Sequence, residues 1–220
     1  MARKTASDHL EKEFFNVTLA VLGIIQGLSL NQVAAKFASG EAAVINSASI
    51  LGYAHFIMCF VIVLRVFQTY LLAALDYSGW KASIFEIFTI FFVGIVEYWV
   101  FDALSSYQTI DYYSLHNRVA VLFLIASASH LMVLLRIRSG SLTQDSRMIQ
   151  RETKIQLFNF ILPLIAAILC YSCVYFQFSR EIGAAISLIV SAATVANIIT
   201  SLRFTMVPDG DGQVEKEAAP

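Results

Sequence analysis

The amino-acid sequence predicts an all-α, polytopic membrane protein, a bundle of six transmembrane helices. Three observations carry that reading. Hydrophobic residues make up 58% of the 220-residue chain and charged residues 14%, against about 45–50% and about 25% in soluble domains. The apolar residues gather in six stretches, 14–35, 50–75, 83–101, 119–137, 158–178 and 182–202, each near the ~20 residues a helix needs to cross the hydrocarbon core. The basic residues between them alternate sharply from one side to the other. Lipid offers a bare backbone no hydrogen bonds, so each stretch must be helical. The mean hydropathy of +0.69 agrees.

The N-terminal segment, 1–13, is charged as far as Glu13, and a long apolar stretch without a small-residue cleavage site follows it. It reads as a cytoplasmic segment leading into an uncleaved first span rather than as a signal peptide. The first stretch carries Gly23 and Gly27 in small-xxx-small spacing, which predicts close approach of another helix. Asn16, Gln26 and Asn31 make it polar for a lipid-facing helix and place it inside the bundle.

The second stretch holds Arg65, ten or more residues from either end. A central Arg costs about 2.5–3.5 kcal/mol on insertion scales, so a partner is expected. Helices two and three are joined by a short loop near Gly79, which predicts an antiparallel pair and sets Arg65 level with Val93. Side chains lean toward their own helix N-terminus, so Arg65 and Glu97 converge as an ion pair. Gln68, Thr69 and Thr89 complete that polar cluster. Glu86, three turns before Glu97, reads as an interfacial carboxylate.

The fourth stretch and its flanks contribute His116 and His130, fourteen residues apart, and His55 lies in the second stretch. These three are candidates for titration or for haem ligation, with one haem conceivable between His55 and His116. The following loop puts Arg147, Arg151 and Lys154 on one face of a short helix, read as a cytoplasmic connector that could also rest on anionic headgroups. Pro163 falls in the first turns of the fifth helix, where proline costs little. Cys59, Cys170 and Cys173 lie in apolar stretches and read as packing residues. Helices five and six form a tight hairpin around Arg180 and Glu181.

The sixth stretch carries Ser187, Ser191, Thr194, Asn197 and Ser201 along one face. Such a stripe lines a wet pore or permits close packing. The tail, 204–220, has Pro, Gly and acidic residues without periodicity and reads as disordered.

Orientation follows from the basic residues. Arg3, Lys4, Lys12, Lys81, Arg136, Arg138, Arg147, Arg151, Lys154, Arg203 and Lys216 fall on one side, and Lys36, Arg118 and Arg180 on the other. The positive-inside rule places both termini in the cytoplasm. Tyr77 and Trp80 then sit at the inner interface. Tyr98, Trp99, Tyr107, Tyr112 and Tyr113 form an outer aromatic belt.

A net charge of -1 excludes an electrostatic nucleic-acid footprint. The chain carries no nucleophile elbow, zincin motif or glycine-rich phosphate loop, and no metal or other cofactor is called for. The leading functional reading is a subunit of an oligomeric channel or pore for a small ion or polar solute, with the lipid bilayer and further copies of the chain as partners. A non-transporting membrane scaffold is the next reading, and a haem-binding redox protein the third.

Overall fold

The structure is a computed structural model that describes residues 13, 17, 20–32, 34–35, 49–76, 84–105, 112–139 and 146–206. Among these residues it is all-helical. The first helix, α1, covers 20–32. It is followed by α2 (Ser49–Asp76), α3 (Ile84–Ser105), α4 (Tyr112–Arg138), α5 (Ser146–Tyr175) and α6 (Arg180–Met206). The N-terminal segment, the tail beyond Met206, and Tyr77, Trp80, Tyr107 and Asp111 lie outside the described residues.

Among the described residues four helices contain segments long and apolar enough to cross a membrane: Leu51–Leu72, Tyr112–Arg138, Glu152–Tyr175 and Arg180–Leu202. The surface is organised to match. Phe92, Ile95, Leu124, Leu135, Ile168, Leu188 and Ile189 point outward, while Gln26, His55, Gln68, Glu97, His116, Asn159 and Asn197 are buried. Apolar side chains outside and polar groups inside reverse the arrangement that water imposes. The chain is therefore compatible with a membrane protein, in which lipid exerts no drive to hide apolar side chains.

The closest packing is between α4 and α5, followed by α2 on α6. Helix α3 leans on α4, α5 on α6, and α2 meets α3 only lightly. Two contacts fix α2 and α6 as parallel: His55 meets Ser187, and thirteen residues on, Gln68 meets the Ile198 carbonyl. Helices α4 and α5 are antiparallel, with Ser127 on the Phe160 carbonyl and His130 on Gln156. Met58, Ile62, Val96, Val100, Phe101, Leu115, Val119, Phe123 and Val190 form the central apolar cluster. Cys59, Cys170 and Cys173 are buried in it as free thiols.

Three local features differ from the sequence reading. Helix α5 begins at Ser146 rather than near Phe158, so the basic segment 147–154 continues the spanning helix instead of forming a separate one. Pro163 is consequently in the helix interior. It removes the hydrogen bond to the Asn159 carbonyl, and beside it Ser127 of α4 donates to the Phe160 carbonyl at 2.9 Å. The close approach of α1 is not made at Gly23 or Gly27, which face open space. It is made at Gly94 of α3, where an added Cβ would stand 2.8 Å from Ile25.

The turn joining α5 to α6 is a Schellman motif. Gln177 has φ 50°, the Phe178 amide donates to the Cys173 carbonyl at 3.2 Å, and the Gln177 amide to the Val174 carbonyl at 3.3 Å. Ser179 then caps α6, its hydroxyl accepting from the Ile182 amide at 3.5 Å. Tyr112 and Tyr113 both donate to the Phe178 carbonyl, the latter at 3.2 Å, and pin this turn to the start of α4. Tyr112 is buried there, so it is not the lipid-facing belt residue expected; Tyr98 and Trp99 are exposed. Arg118 ties α4 to α3 by an ion pair with Asp102 at 3.0 Å and lies 4.8 Å over the Trp99 ring.

Candidate functional site

Among the described residues several polar groups interrupt the apolar interior, and three of them carry the argument. The first lies near the α5–α6 turn, at what is here called the turn end. His55 of α2, His116 of α4 and Ser187 of α6 meet there, all buried. The His116 Nδ1–H donates to the Tyr112 carbonyl at 3.0 Å. A singly protonated ring then has Nε2 as an acceptor, and the Ser187 hydroxyl stands 3.4 Å from it and 3.1 Å from the Gly183 carbonyl. His55 Nδ1 is 2.7 Å from the same hydroxyl. Gly183 makes room for this layer, since a Cβ there would meet Tyr112 at 3.2 Å and His116 at 3.4 Å.

The sequence singled out His55 and His116 as a pair, and the structure brings them together. The haem reading does not survive their geometry. The rings are 5.1 Å apart and meet edge to face, and the Ser187 hydroxyl sits on the inward nitrogen of each. A macrocycle needs two ring nitrogens aimed at one iron across its own thickness. Here that space is filled by ring contact. His130 is elsewhere, donating from Nδ1 to Gln156 at 2.8 Å. Among the described residues no three of His, Cys, Asp and Glu are placed to hold a metal ion.

The second group centres on Glu97 of α3, which is 1% exposed. Both carboxylate oxygens are 3.3 Å from the Gln26 amide nitrogen, which also reaches the Val63 carbonyl at 3.4 Å. The third group centres on Arg65 of α2. It donates to Gln68 at 2.7 Å and to Asn159 of α5 at 2.9 Å. Gln68 in turn donates to the Ile198 carbonyl at 2.9 Å.

Arg65 and Glu97 therefore do not form the expected ion pair. The described ion pair is Arg118–Asp102, at the helix ends. The reason is helical phase. Residues two apart on a helix differ by about 200° in direction. Helix α2 presents the Val63 carbonyl to Gln26, the partner of Glu97, and Arg65 is turned away, toward α5. The short loop near Gly79 suggested that α2 and α3 pack closely, whereas α2 packs chiefly on α6.

The stripe of Ser187, Ser191, Thr194, Asn197 and Ser201 is buried along its whole length. Ser191 donates to the Ser187 carbonyl at 2.7 Å and Thr194 to the Val190 carbonyl at 2.8 Å, both on their own helix. Ser201 donates to the Asn197 side chain at 3.1 Å. The stripe faces the interior of its own chain, against α2.

Sequence reasoning missed Asn159 and Gln156. With the fifth helix begun near Phe158, they fell at its threshold, where polar residues are ordinary. Their spacing, three apart on a helix that starts at Ser146, is the signal that could have found them. Gln26 stood out as polar, but nothing in the sequence aimed it at Glu97. Comparison with known protein families, characterised proteins and solved structures finds no match to the chain.

Proposed function

We propose that the chain is an integral membrane protein of six spanning helices that moves a small ion, with Glu97 as the group that carries it. The single observation behind this reading is the Glu97 carboxyl, buried on α3 with one neutral amide as its partner among the described residues. A lone amide hydrogen bond does not compensate a bare carboxylate in a dry interior, so the group must hold a proton or a cation. Ionisable residues at membrane depth that face a bundle interior typically mark ion paths and relays. The pore expected on a symmetry axis between copies gives way to a path inside one chain, because the α6 stripe is turned inward.

The test is flux into liposomes that contain the purified protein, driven separately by proton and sodium gradients. Glu97→Gln keeps the shape and the hydrogen bond to Gln26 but cannot exchange a proton or bind a cation as a carboxylate. We expect it to abolish flux while melting within about 2 °C of wild type, a shift equivalent to no more than about 1 kcal/mol. Wild-type liposomes no leakier than empty ones to either ion would overturn the proposal.

A non-transporting scaffold is the second reading. It is favoured by the α6 hydroxyls, which are buried and donate to carbonyls of their own helix. Under it, Glu97→Gln is silent in every flux assay.

A further inference from the structure

Arg65 carries a positive charge that the described residues do not balance. Its two hydrogen-bond partners, Gln68 and Asn159, are neutral amides. Glu97, the other ionisable group deep in the bundle, is committed to Gln26. The neighbouring titratable group on α4 is His130, itself basic and close enough to interact with Arg65 electrostatically. A guanidinium has five N–H donors and no acceptor, and two of the five are used.

The orientation of Asn159 follows from that chemistry. A guanidinium only donates, so the amide oxygen of Asn159 must face Arg65 and its Nδ2 must face away. Among the described residues no protein acceptor meets that Nδ2, and Asn159 is 5% exposed. Arg65 is likewise only half-buried. A guanidinium and an adjacent amide NH2 thus present donors alone, with the partly exposed Arg65 as the side open to a ligand.

The depth fits a phosphate. Arg65 lies seven residues before the end of the apolar segment Leu51–Leu72, and Asn159 seven residues after the start of Glu152–Tyr175, about 10 Å in each case. Both distances run to the same end of the bundle, where, among the described side chains, Arg136, Arg138 and Lys154 collect. Basic pockets between spanning helices at such an end receive phosphate head groups. The planar fork of Arg matches phosphate oxygens better than a spherical anion.

We propose that Arg65 and Asn159 form a phosphate-binding site between α2 and α5, filled by an anionic lipid head group or by free phosphate. The site does not depend on ion movement through Glu97. The deciding variant is Asn159→Asp, which puts a carboxylate beside the guanidinium and closes the site from within. Full-length protein in neutral detergent is melted over a series of sodium phosphate concentrations at fixed ionic strength. In the second arm it is melted in phosphatidylcholine nanodiscs with or without roughly a fifth phosphatidylglycerol. We expect a saturable rise in Tm of about 3 °C in one arm, which identifies the source. Asn159→Asp should melt no lower than wild type without phosphate and show no rise in either arm. Arg65→Gln, where it folds, should also lose the rise. Wild type that gains nothing in either arm, or a gain retained in full by Asn159→Asp, overturns the proposal.

Discussion

The histidine layer at the turn end and the Arg65 group toward the Arg138 end are both polar interruptions of an apolar bundle, about 15 Å apart along α2, yet they are satisfied differently. In the first, uncharged groups from α2, α4 and α6 close on one another: the Tyr112 carbonyl takes His116, and Ser187 bridges both rings. In the second, a charge is met by amides that bring no opposite charge. Glu97 belongs with the second kind, since Gln26 offers it only a neutral donor. A closed, neutral network specifies how helices pack. An open charge at membrane depth is expensive, and that expense is the reason to look for a ligand there.

The comparison predicts different kinds of damage. His116→Leu removes one ring of the closed layer and takes from Ser187 one of its two ring contacts and from the Tyr112 carbonyl its side-chain donor. We expect a loss of about 2–3 kcal/mol of stability, with flux per folded molecule unchanged. Denaturation in detergent and flux in liposomes, measured on the same preparation, check both halves. A flux defect with normal stability would make the histidines part of the ion path and erase the distinction.

The two open charges are the next place to press. Arg65→Leu and Glu97→Leu should each cost about 1–3 kcal/mol, because each leaves buried amide groups unpaired. The double variant should show the sum, with an interaction energy below about 0.5 kcal/mol, since the pair makes no contact. A coupling well above that value would mean that the two charges meet in the membrane, and the separation into two independent groups would fail.

How much of this was legible in the sequence depends on the range of each relation. The helices were readable because an apolar run of about 20 residues has one physical solution in lipid. The partnership of His55 with His116 was readable because both fell near the same end of their helices. Arg65 was recognised as needing a partner, but which one depends on the rotation of α2. A residue count fixes depth along a helix and says little about which neighbour a given face meets. Asn159 escaped because helix α5 starts a dozen residues earlier than its apolar run, carried by Ser146 through Leu157. The reading of Gly23 and Gly27 failed for a related reason. Their spacing permits a close contact, and the structure makes it at Gly94 instead.

The smallest expected effect concerns the α6 stripe, and it bears directly on which groups are closed. Ser191 and Thr194 donate to carbonyls one turn back on their own helix. Those carbonyls already accept from the helical amides, so deleting the hydroxyl strands no partner. Ser191→Ala and Thr194→Val should each change stability by less than about 0.5 kcal/mol. Single cysteines at the same positions, in a background without Cys59, Cys170 and Cys173, should stay unreactive toward a water-soluble thiol reagent in the folded protein, because the face packs against α2 without water. Rapid labelling that also blocks flux would put the stripe in contact with solvent. The closed part of the bundle would then shrink to the histidine layer alone, and the ion path would run along α6 past Ser191 instead of through Glu97.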